Sequence, residues 1–144
     1  MPERIRVTPI EASVILVNEM LGGSFSGQYS QEVAKALHGS RWKEYYHLED
    51  NPFTPKEFLQ DAQRSQLLVD SIAEVLATVK DRERRAVRMR FGFEDGLLHT
   101  LKEIGVEFGL TSGERPRQII AKSLRKLRHP SRLRPIKQLL PERP

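Results

Sequence analysis

The fold of this chain is decided by residues 100–132, which read TLKEIGVEFGLTSGERPRQIIAKSLRKLRHPSR. Thr100 stands three residues before Glu103, which is the spacing of a capping box at the start of a helix. Four small or apolar residues then share one face of that helix, namely Leu101, Ile104, Gly105 and Phe108. The stretch therefore begins with a short amphipathic helix.

A tight turn separates this helix from a second, basic one. Gly109 supplies a left-handed stop, Leu110 is an apolar residue within the turn, and residues 111–113 offer new N-cap candidates. From Arg115 to Lys137 the sequence contains nine Lys or Arg and no Asp or Glu. This pattern predicts a helix-turn-helix, and the run of positive charge indicates a phosphate backbone as its partner.

Pro116 restricts where the second helix can begin. If Thr111 were the N-cap, Pro116 would be the fifth helical residue and would remove the hydrogen bond to the Ser112 carbonyl, at a cost of roughly 3 kcal/mol. With Gly113 as the cap, Pro116 is the third helical residue, whose N–H has no partner in any helix; with Ser112 as the cap it sits one step later, at modest strain. We therefore predict a helix that begins at Gly113 or Glu114.

The side chains of this second helix sort onto two faces. The inward face is predicted to carry Pro116, Ile119, Ser123, Leu124 and Leu127. The outward face is predicted to carry Glu114, Arg117, Gln118, Lys122 and Arg125. Arg or Lys can donate to guanine, Gln can pair with adenine and Glu can accept from cytosine, each worth about 1–3 kcal/mol of discrimination between bases.

The segment from Asp81 to Arg132 also resembles a known family. Its runs RERRAVRMRFGFEDG, TLKEIGVEFGLT and RQIIAKSLRKLRHPSR are similar to region 4 of primary bacterial sigma-70 factors, the domain that contacts the −35 promoter element. The similarity extends more weakly back to about Leu48 and covers roughly residues 48–137. It implies an all-α fold with a region 4-like helix-turn-helix domain.

The resemblance also implies a set of DNA contacts. The outward residues of the second helix would lie in the major groove, the start of the first helix would clamp a phosphate, and arginines of the preceding helix would approach the DNA backbone. The DNA-binding residues predicted in this way are Arg82, Arg85, Arg88, Thr100, Leu101, Glu114, Arg115, Arg117, Gln118, Lys122 and Arg125. For Arg125, Lys126 and Arg128 the family offers a second role, contact with activators or the polymerase, and the sequence leaves both roles open.

This sequence departs from the family pattern at three points. The turn is one residue longer and lacks the first arginine of the family's Arg-Glu-Arg start, Pro116 stands where the family has Ile or Val, and Ile120 stands where it has Glu. Ile120 is thereby predicted at the edge of the DNA-facing surface. These departures put recognition of the usual −35 sequence in question.

Two helices are predicted ahead of the helix-turn-helix. The first passes through Leu68, Ile72, Val75, Leu76 and Val79. The second has Asp81 as its N-cap and Val87 and Phe91 on its inner face. Its other face is predicted to carry Arg82, Arg85, Arg88 and Arg90. These arginines either contact phosphates or form a solvated face that pairs with carboxylates such as Glu83.

Residues 1–46 are predicted to form a small helical N-terminal unit of unknown role. Its first helix begins with a capping box at Thr8 and carries an apolar stripe of Ile10, Val14, Val17 and Leu21. A second short helix, capped by Ser30 and closed by Gly39, carries Val33, Ala36 and Leu37. Three aromatic residues follow, and packing between helices is favoured over stacking on bases for Trp42, Tyr45 and Tyr46.

Residues 47–55 are predicted to be a linker, because Pro52 and Pro55 keep their preceding residues out of the helical region. Thr54 is a candidate cap for the helix that follows, and residues 56–144 are predicted to form the region 4-like domain. Residues 1–60 carry 6 basic and 8 acidic groups, whereas residues 61–144 carry 18 and 11. The positive charge therefore belongs to the C-terminal part.

Composition excludes several function classes. The chain has no cysteine and four scattered histidines, so neither a disulfide framework nor a metal site is expected. We expect a cytoplasmic protein with no membrane partner and no cofactor, because the sequence has neither a secretory signal nor an apolar run of spanning length. No nucleophile–base pair or phosphate-cradling glycine loop is evident, so we expect no enzymatic activity.

These observations predict a stand-alone sigma-70 region 4-like transcription factor that binds double-stranded DNA at a −35-type element. The resemblance implies docking on the flap of bacterial-type RNA polymerase core, and a second sigma-like subunit is expected because the domain that melts the −10 element has no counterpart here. The alternative is an adaptor, co-sigma or anti-sigma that docks on the flap without contacting DNA. A third interpretation, the DNA-binding half of a recombinase or repressor, is disfavoured by the LRKLRHPSR run.

Overall fold

The computed structural model describes residues 5–21, 31–44 and 61–140. The predicted linker at 47–55, the predicted caps Ser30 and Thr54, and the aromatic residues Tyr45 and Tyr46 lie outside the described residues. Within the described ranges the chain is built from α-helices, which confirms the predicted all-α class.

Seven α-helices and one 3₁₀ helix make up the described residues. They are α1 (Pro9–Met20), α2 (Gln31–His38), the 3₁₀ helix Gly39–Glu44, α3 (Ala62–Leu76), α4 (Asp81–Phe91), α5 (Leu101–Glu107), α6 (Glu114–Leu127) and α7 (Pro130–Lys137). Helices α5 and α6 form the predicted helix-turn-helix.

Helix α1 begins as predicted and then becomes the central helix of the core. Thr8 Oγ1 accepts from the Glu11 N–H at 3.2 Å, and the Glu11 carboxylate accepts from the Thr8 N–H at 3.1 Å, which completes the capping box. Every residue from 12 to 20 is buried, however, rather than a single stripe. The reason is that α1 contacts α3, α4 and α6, so its whole circumference is covered.

A single apolar core joins the N-terminal segment to the C-terminal helices. Ile15, Leu16 and Met20 of α1 are buried in the same cluster as Leu68 of α3 and Leu127 of α6. The backbone adds a second connection, because the Leu98 N–H donates to the Ile5 carbonyl at 3.1 Å and the Val7 N–H donates to the Gly96 carbonyl at 2.8 Å. The division of the chain at residues 46 and 56 stays a prediction, but α1 packs inside the C-terminal core.

Helix α2 and the 3₁₀ helix cover one side of this core. Of the residues predicted for this helix, Val33 is buried, Leu37 is half-buried and Ala36 is exposed, and Ala34 is buried as well. Trp42 is half-buried against the core, as predicted, and the Lys35 ammonium lies 5.0 Å from the centroid of its ring. Gly39 closes α2 with a φ of +57°.

The N-cap of helix α4 lies one residue earlier than predicted. Lys80, not Asp81, occupies the N-cap position, and its N–H donates to the Glu83 carboxylate at 3.2 Å. Asp81 is instead the first helical residue, where its carboxylate still lies at the positive end of the helix dipole. The cap lies at Lys80 because the Glu83 side chain folds back to bond the Lys80 N–H, whereas the Asp81 side chain does not cap the helix.

Candidate nucleic-acid interface

Helix α5 has the caps that the sequence predicted, Thr100 at its start and Gly109 at its end. Thr100 Oγ1 accepts from the Glu103 N–H at 3.1 Å, so Thr100 caps α5. At the other end Gly109 has a φ of +73°; its N–H donates to the Val106 carbonyl at 3.0 Å, and the Leu110 N–H donates to the Gly105 carbonyl at 2.7 Å. These two bonds form a Schellman motif, which ends α5 sharply and starts the turn.

Two glycines let α5 and the turn before α6 approach each other closely. A Cβ atom on Gly105 would clash with the Ser112 carbonyl, and one on Gly113 would lie 2.9 Å from the Cβ of Leu101. Neither position leaves room for a side chain. The angle between the two helices therefore depends on glycine at both contacts.

Helix α6 begins where Pro116 required. Gly113 is the N-cap, Glu114 is the first helical residue, and the Arg117 N–H donates to the Gly113 carbonyl at 3.0 Å. Pro116 is the third helical residue and is buried. The prediction of a helix that begins at Gly113 or Glu114 is confirmed.

The two predicted faces of α6 are also confirmed. The buried residues include the whole predicted inward set, Pro116, Ile119, Ser123, Leu124 and Leu127. The exposed residues include the whole predicted outward set, Glu114, Arg117, Gln118, Lys122 and Arg125. One prediction about this helix is wrong: Ile120 is buried, 7% exposed, rather than placed at the edge of the outer surface. Its side chain instead lines a groove to which α2 also contributes.

The first turn of α6 carries groups that bond to one another. The Glu114 carboxylate accepts from the Arg117 guanidinium at 2.7 Å and from the Gln118 side-chain amide at 3.4 Å, while Arg115 donates to Gln118 at 3.4 Å. The bond from Arg117 lowers the pKa of the Glu114 carboxyl below its ordinary value. All four side chains are exposed, so these bonds can be exchanged for bonds to a base at little cost.

Lys122 and Arg125 differ from these groups because they are not engaged. Both are exposed on α6, and no carboxylate of the described residues lies within salt-bridge distance of either. They lie one and two turns beyond Arg117 and Gln118 on the outward surface. The outer face of α6 therefore presents two available cations next to a self-paired polar cluster.

Three other basic residues of the same run are used inside the protein. The Lys126 ammonium donates to the Glu83 carboxylate at 2.8 Å, and Glu83 is 8% exposed. Arg128 donates to the Glu19 and Met20 carbonyls at the end of α1, at 3.0 and 3.1 Å. Arg132 donates to the Thr78 hydroxyl at 2.8 Å. The open question over Lys126 and Arg128 thus has a third answer, because both hold helices together.

The pKa of Glu83 reflects its place in this arrangement. Burial alone would raise the pKa of its carboxyl, but the hydrogen bond from Lys126, the Lys80 N–H and the charge of Lys122 outweigh burial and hold the pKa below its ordinary value. Glu83 is therefore an ionised carboxylate between α4 and α6. It fixes the position of the recognition helix, α6, relative to the scaffold.

The arginines of α4 have varied surroundings. Arg82 and Arg85 both lie over the Phe108 ring, at 5.4 and 5.5 Å from its centroid, and Arg85 also donates to the Glu107 carboxylate at 2.6 Å. Arg88 donates to the Glu94 carboxylate at 2.8 Å. Of the three arginines of α4 predicted to contact phosphates, Arg82 is therefore the one without a carboxylate partner in the described residues.

Arg90 was predicted on the same outer face as these arginines, and that prediction is wrong. Its guanidinium is largely buried and donates to the carbonyls of His99, Leu37 and Ala36, at 2.9, 3.2 and 3.4 Å. Burial lowers its pKa, which the charge of Glu19 partly offsets. Residue 90 lies two positions beyond Arg88 and therefore on a different side of α4, toward α2, where the arginine holds the N-terminal segment in place of facing solvent.

The loop before α5 is held by a half-buried histidine. The two ring nitrogens of His99 lie 2.8 Å from the Asp95 carboxylate and 3.0 Å from the Glu103 carboxylate. Burial would raise the pKa of the Asp95 carboxyl, but the hydrogen bonds from the His99 ring and the Leu97 N–H outweigh burial, so the pKa lies below its ordinary value. This network positions Thr100, which is exposed, and Leu101, which is half-buried, at the start of α5. Nothing in the sequence patterns had pointed to His99.

The described ranges contain neither a metal site nor a membrane-spanning helix. No cluster of three or more His, Asp or Glu side chains there has the arrangement of a metal site. No described helix is both long enough and apolar enough to cross a membrane.

Comparison with known proteins agrees with this geometry. Residues 75–129 match the family model described as Sigma-70, region 4, which spans α4, α5, α6 and the turns between them. This part of the chain is therefore similar to sigma-70 region 4.

Relatives among curated proteins include RNA polymerase sigma factors named SigA. The Bacillus protein is 50% identical over 80 residues, which is 56% of this chain and 21% of the relative. The Listeria monocytogenes protein is 52% identical over 75 residues, or 52% of this chain and 20% of the relative, and that of Lactococcus lactis is 47% identical over 74 residues, or 51% and 20%. The chain thus spans about a fifth of the length of these relatives.

Proposed function

We propose that this protein binds double-stranded DNA through its helix-turn-helix, with α6 in the major groove. The observation that carries the proposal is the outer face of α6, where Lys122 and Arg125 are exposed and free of carboxylate partners among the described residues. When unpaired cations neutralise phosphates, the counterions condensed on the DNA are released, and this release is a main source of affinity for DNA.

Each predicted site residue has a role in this proposal. Glu114, Arg117, Gln118 and Lys122 contact base edges, which is where sequence preference originates. The remaining residues position the duplex by contacting phosphates, Leu101 through its main-chain N–H and the others through their side chains: Arg82, Arg85, Arg88, Thr100, Arg115 and Arg125. Within the second set we expect Arg82 to contribute more than Arg85 and Arg88, because those two are paired with Glu107 and Glu94.

We further propose that the protein acts at promoters, on a −35-type element, together with bacterial-type RNA polymerase. The similarity of 80 residues to a protein named RNA polymerase sigma factor supports this role. By the same likeness it docks on the flap of the polymerase core, and a second sigma-like subunit supplies the melting of the −10 element. The role is that of a transcription factor and involves no catalysis.

A specific observation also favours a second candidate, the adaptor that docks on the polymerase without contacting DNA. Three of the proposed base-contacting groups, Glu114, Arg117 and Gln118, are bonded to one another. If those bonds persisted, the first turn of α6 would present little to a base. The adaptor would keep the polymerase contact and lose sequence preference.

Two measurements on the full chain separate the candidates. The first is capture of purified RNA polymerase core, and the second is a mobility shift on a duplex with a −35-type element against a scrambled duplex. The DNA-binding factor retains core and shifts the −35 duplex in preference to the scrambled one. An adaptor retains core and shifts neither duplex, and failure to retain core removes the polymerase from the proposal altogether.

A further inference from the structure

An open groove of about 380 Å³ lies between α2 and α6, on the side of the recognition helix that faces the N-terminal segment. Leu37 of α2, Leu101 of α5 and Ile120 of α6 contribute apolar surface to its lining. Because α2 lies outside the residues that match region 4, the N-terminal segment adds this groove to the domain.

Positive charge dominates the rest of the lining. Four arginines border the groove, Arg90, Arg117, Arg125 and Arg128, and the one carboxylate there is that of Glu19. That carboxylate lies 2.7 Å from the ring of His38, which also lines the groove. The single acid is thus already bonded to a histidine.

The arginine charges are not neutralised by the groups that hold them. Arg90 and Arg128 donate to main-chain carbonyls, which carry no net charge, and Arg125 is exposed. Within residues 5–21, 31–44 and 61–140 no carboxylate forms a salt bridge with any of these three arginines. The groove therefore carries net positive charge beside an apolar surface, with the Glu19 carboxylate partly offsetting the charge of Arg90.

This combination selects a particular ligand chemistry. Guanidinium groups match the oxygens of a phosphate in charge and in geometry, and an apolar wall suits the flat ring of a base. The volume lies at the lower end of the range for small-molecule sites. We propose that the groove binds a nucleotide, with its phosphate at Arg125 and Arg128 and its base against Leu37 and Ile120.

The nucleotide has two possible sources, a free nucleotide or a nucleotide of the DNA strand that lies along α6. The second source rests on the proposed function, because it requires bound duplex, and the first does not. In both cases the N-terminal segment contributes one wall of a binding site.

Arg125→Gln tests the site, because Arg125 is exposed and has no partner whose loss would unfold the protein. Lys137→Gln is the matched control, with the same change of charge at an exposed position of α7 away from the groove. In calorimetric titrations with AMP, GMP and inorganic phosphate, a free-nucleotide site gives binding that falls at least tenfold in Arg125→Gln and is unchanged in Lys137→Gln. Inorganic phosphate then binds more weakly than either nucleotide, and equal affinities would overturn the role of the apolar wall.

The strand source is tested with a short duplex and a second comparison, Leu37→Glu against Leu37→Gln. If the strand enters the groove, duplex affinity falls several-fold more in Leu37→Glu, and neither free nucleotide binds. The proposal is overturned if no nucleotide binds and both variants lose duplex affinity equally. Nucleotide binding without duplex binding would support the groove and refute the proposed function.

Leu37→Glu gives an independent test from the other wall, with Leu37→Gln as the control for lost packing. A carboxylate there repels phosphate, so ligand affinity is expected to fall at least tenfold further than in Leu37→Gln. Equal affinities in these two variants would contradict the placement of the ligand next to α2.

Discussion

Helices α4 and α6 carry five basic residues each, yet they use them differently. On α4, Arg84, Arg85 and Arg88 form ion pairs and Arg90 is bound to carbonyls, which leaves Arg82 over an aromatic ring. On α6, Lys126 is the basic residue whose ion pair joins two helices, and the others point outward. Positive charge in a sequence is therefore not the same as positive charge available to DNA.

The largest expected effect comes from the most deeply engaged arginine of α4. Arg90→Gln leaves three carbonyls with weaker donors or none, and we expect the free energy of unfolding to fall by about 3 kcal/mol, since bonds to charged groups are worth roughly 1.5–3 kcal/mol each. Thermal or urea unfolding measures the change. Arg82→Gln on the same helix is the control and should shift stability by about 0.5 kcal/mol or less. Equal losses would show that α4 does not use its arginines in two ways.

A second test compares two lysines of α6. Lys126→Met leaves the buried Glu83 carboxylate without its cation, and we expect a loss of about 2 kcal/mol, below the 3–5 kcal/mol range for fully buried pairs because Lys126 is partly exposed. Lys122→Met removes the same charge one turn away, at a position without a salt bridge in the described residues, and should change stability by about 0.5 kcal/mol or less. If the Lys122 variant were the less stable one, the assignment of structural and available cations on α6 would be reversed.

The pH dependence of stability should follow the Glu83 pair. Because the folded-state pKa of Glu83 is held below the ordinary value of 4.5, its ionisation stabilises the fold above that value, and this contribution is lost as pH falls through the lower folded-state pKa. Glu83→Gln removes the contribution. The stability gap between wild type and Glu83→Gln should therefore be full near neutral pH and shrink in acid. A gap that is constant with pH would mean that the ion pair does not carry this effect.

The remaining effects concern base preference rather than stability. Gln118→Ala should alter the sequence preference found by selection from random duplexes, by about 1–3 kcal/mol at one position. Arg82→Ala should weaken all duplexes about equally, and Arg85→Ala should weaken them less, because Arg85 is already paired with Glu107. Identical preferences for wild type and Gln118→Ala would remove base contacts from the account and favour the adaptor.

Local features of the fold could be predicted from the sequence because short-range chemistry determines them. The cap at Gly113 follows from the missing N–H of Pro116, and the stop at Gly109 follows from the ease with which glycine adopts a positive φ. The two faces of α6 follow from helical periodicity. The start of α1 at Thr8 follows from the same kind of local bond. Each of these involves residues no more than about two turns apart.

The features that the sequence did not predict depend on contacts between distant segments. Arg90 and Ile120 were both predicted on outer surfaces. Arg90 instead donates to the carbonyl of Leu37 in α2, which lies 53 residues earlier in the chain, and Ile120 is buried. The full burial of α1 likewise depends on α3 and α6 surrounding it. Periodicity identifies which face of a helix is apolar but not what else packs against it.

The central claim is that the outer face of α6 offers available charge to duplex DNA. Fluorescence anisotropy with a labelled duplex, repeated over a series of salt concentrations, tests it for wild type and Arg125→Ala. We predict a wild-type Kd of roughly 10⁻⁴–10⁻⁶ M at physiological salt for a non-specific duplex, steeply weaker at higher salt, and a slope of log Kd against log salt that is smaller by about 1 in the variant. Absence of binding at low salt, or binding that salt does not weaken, would contradict the account.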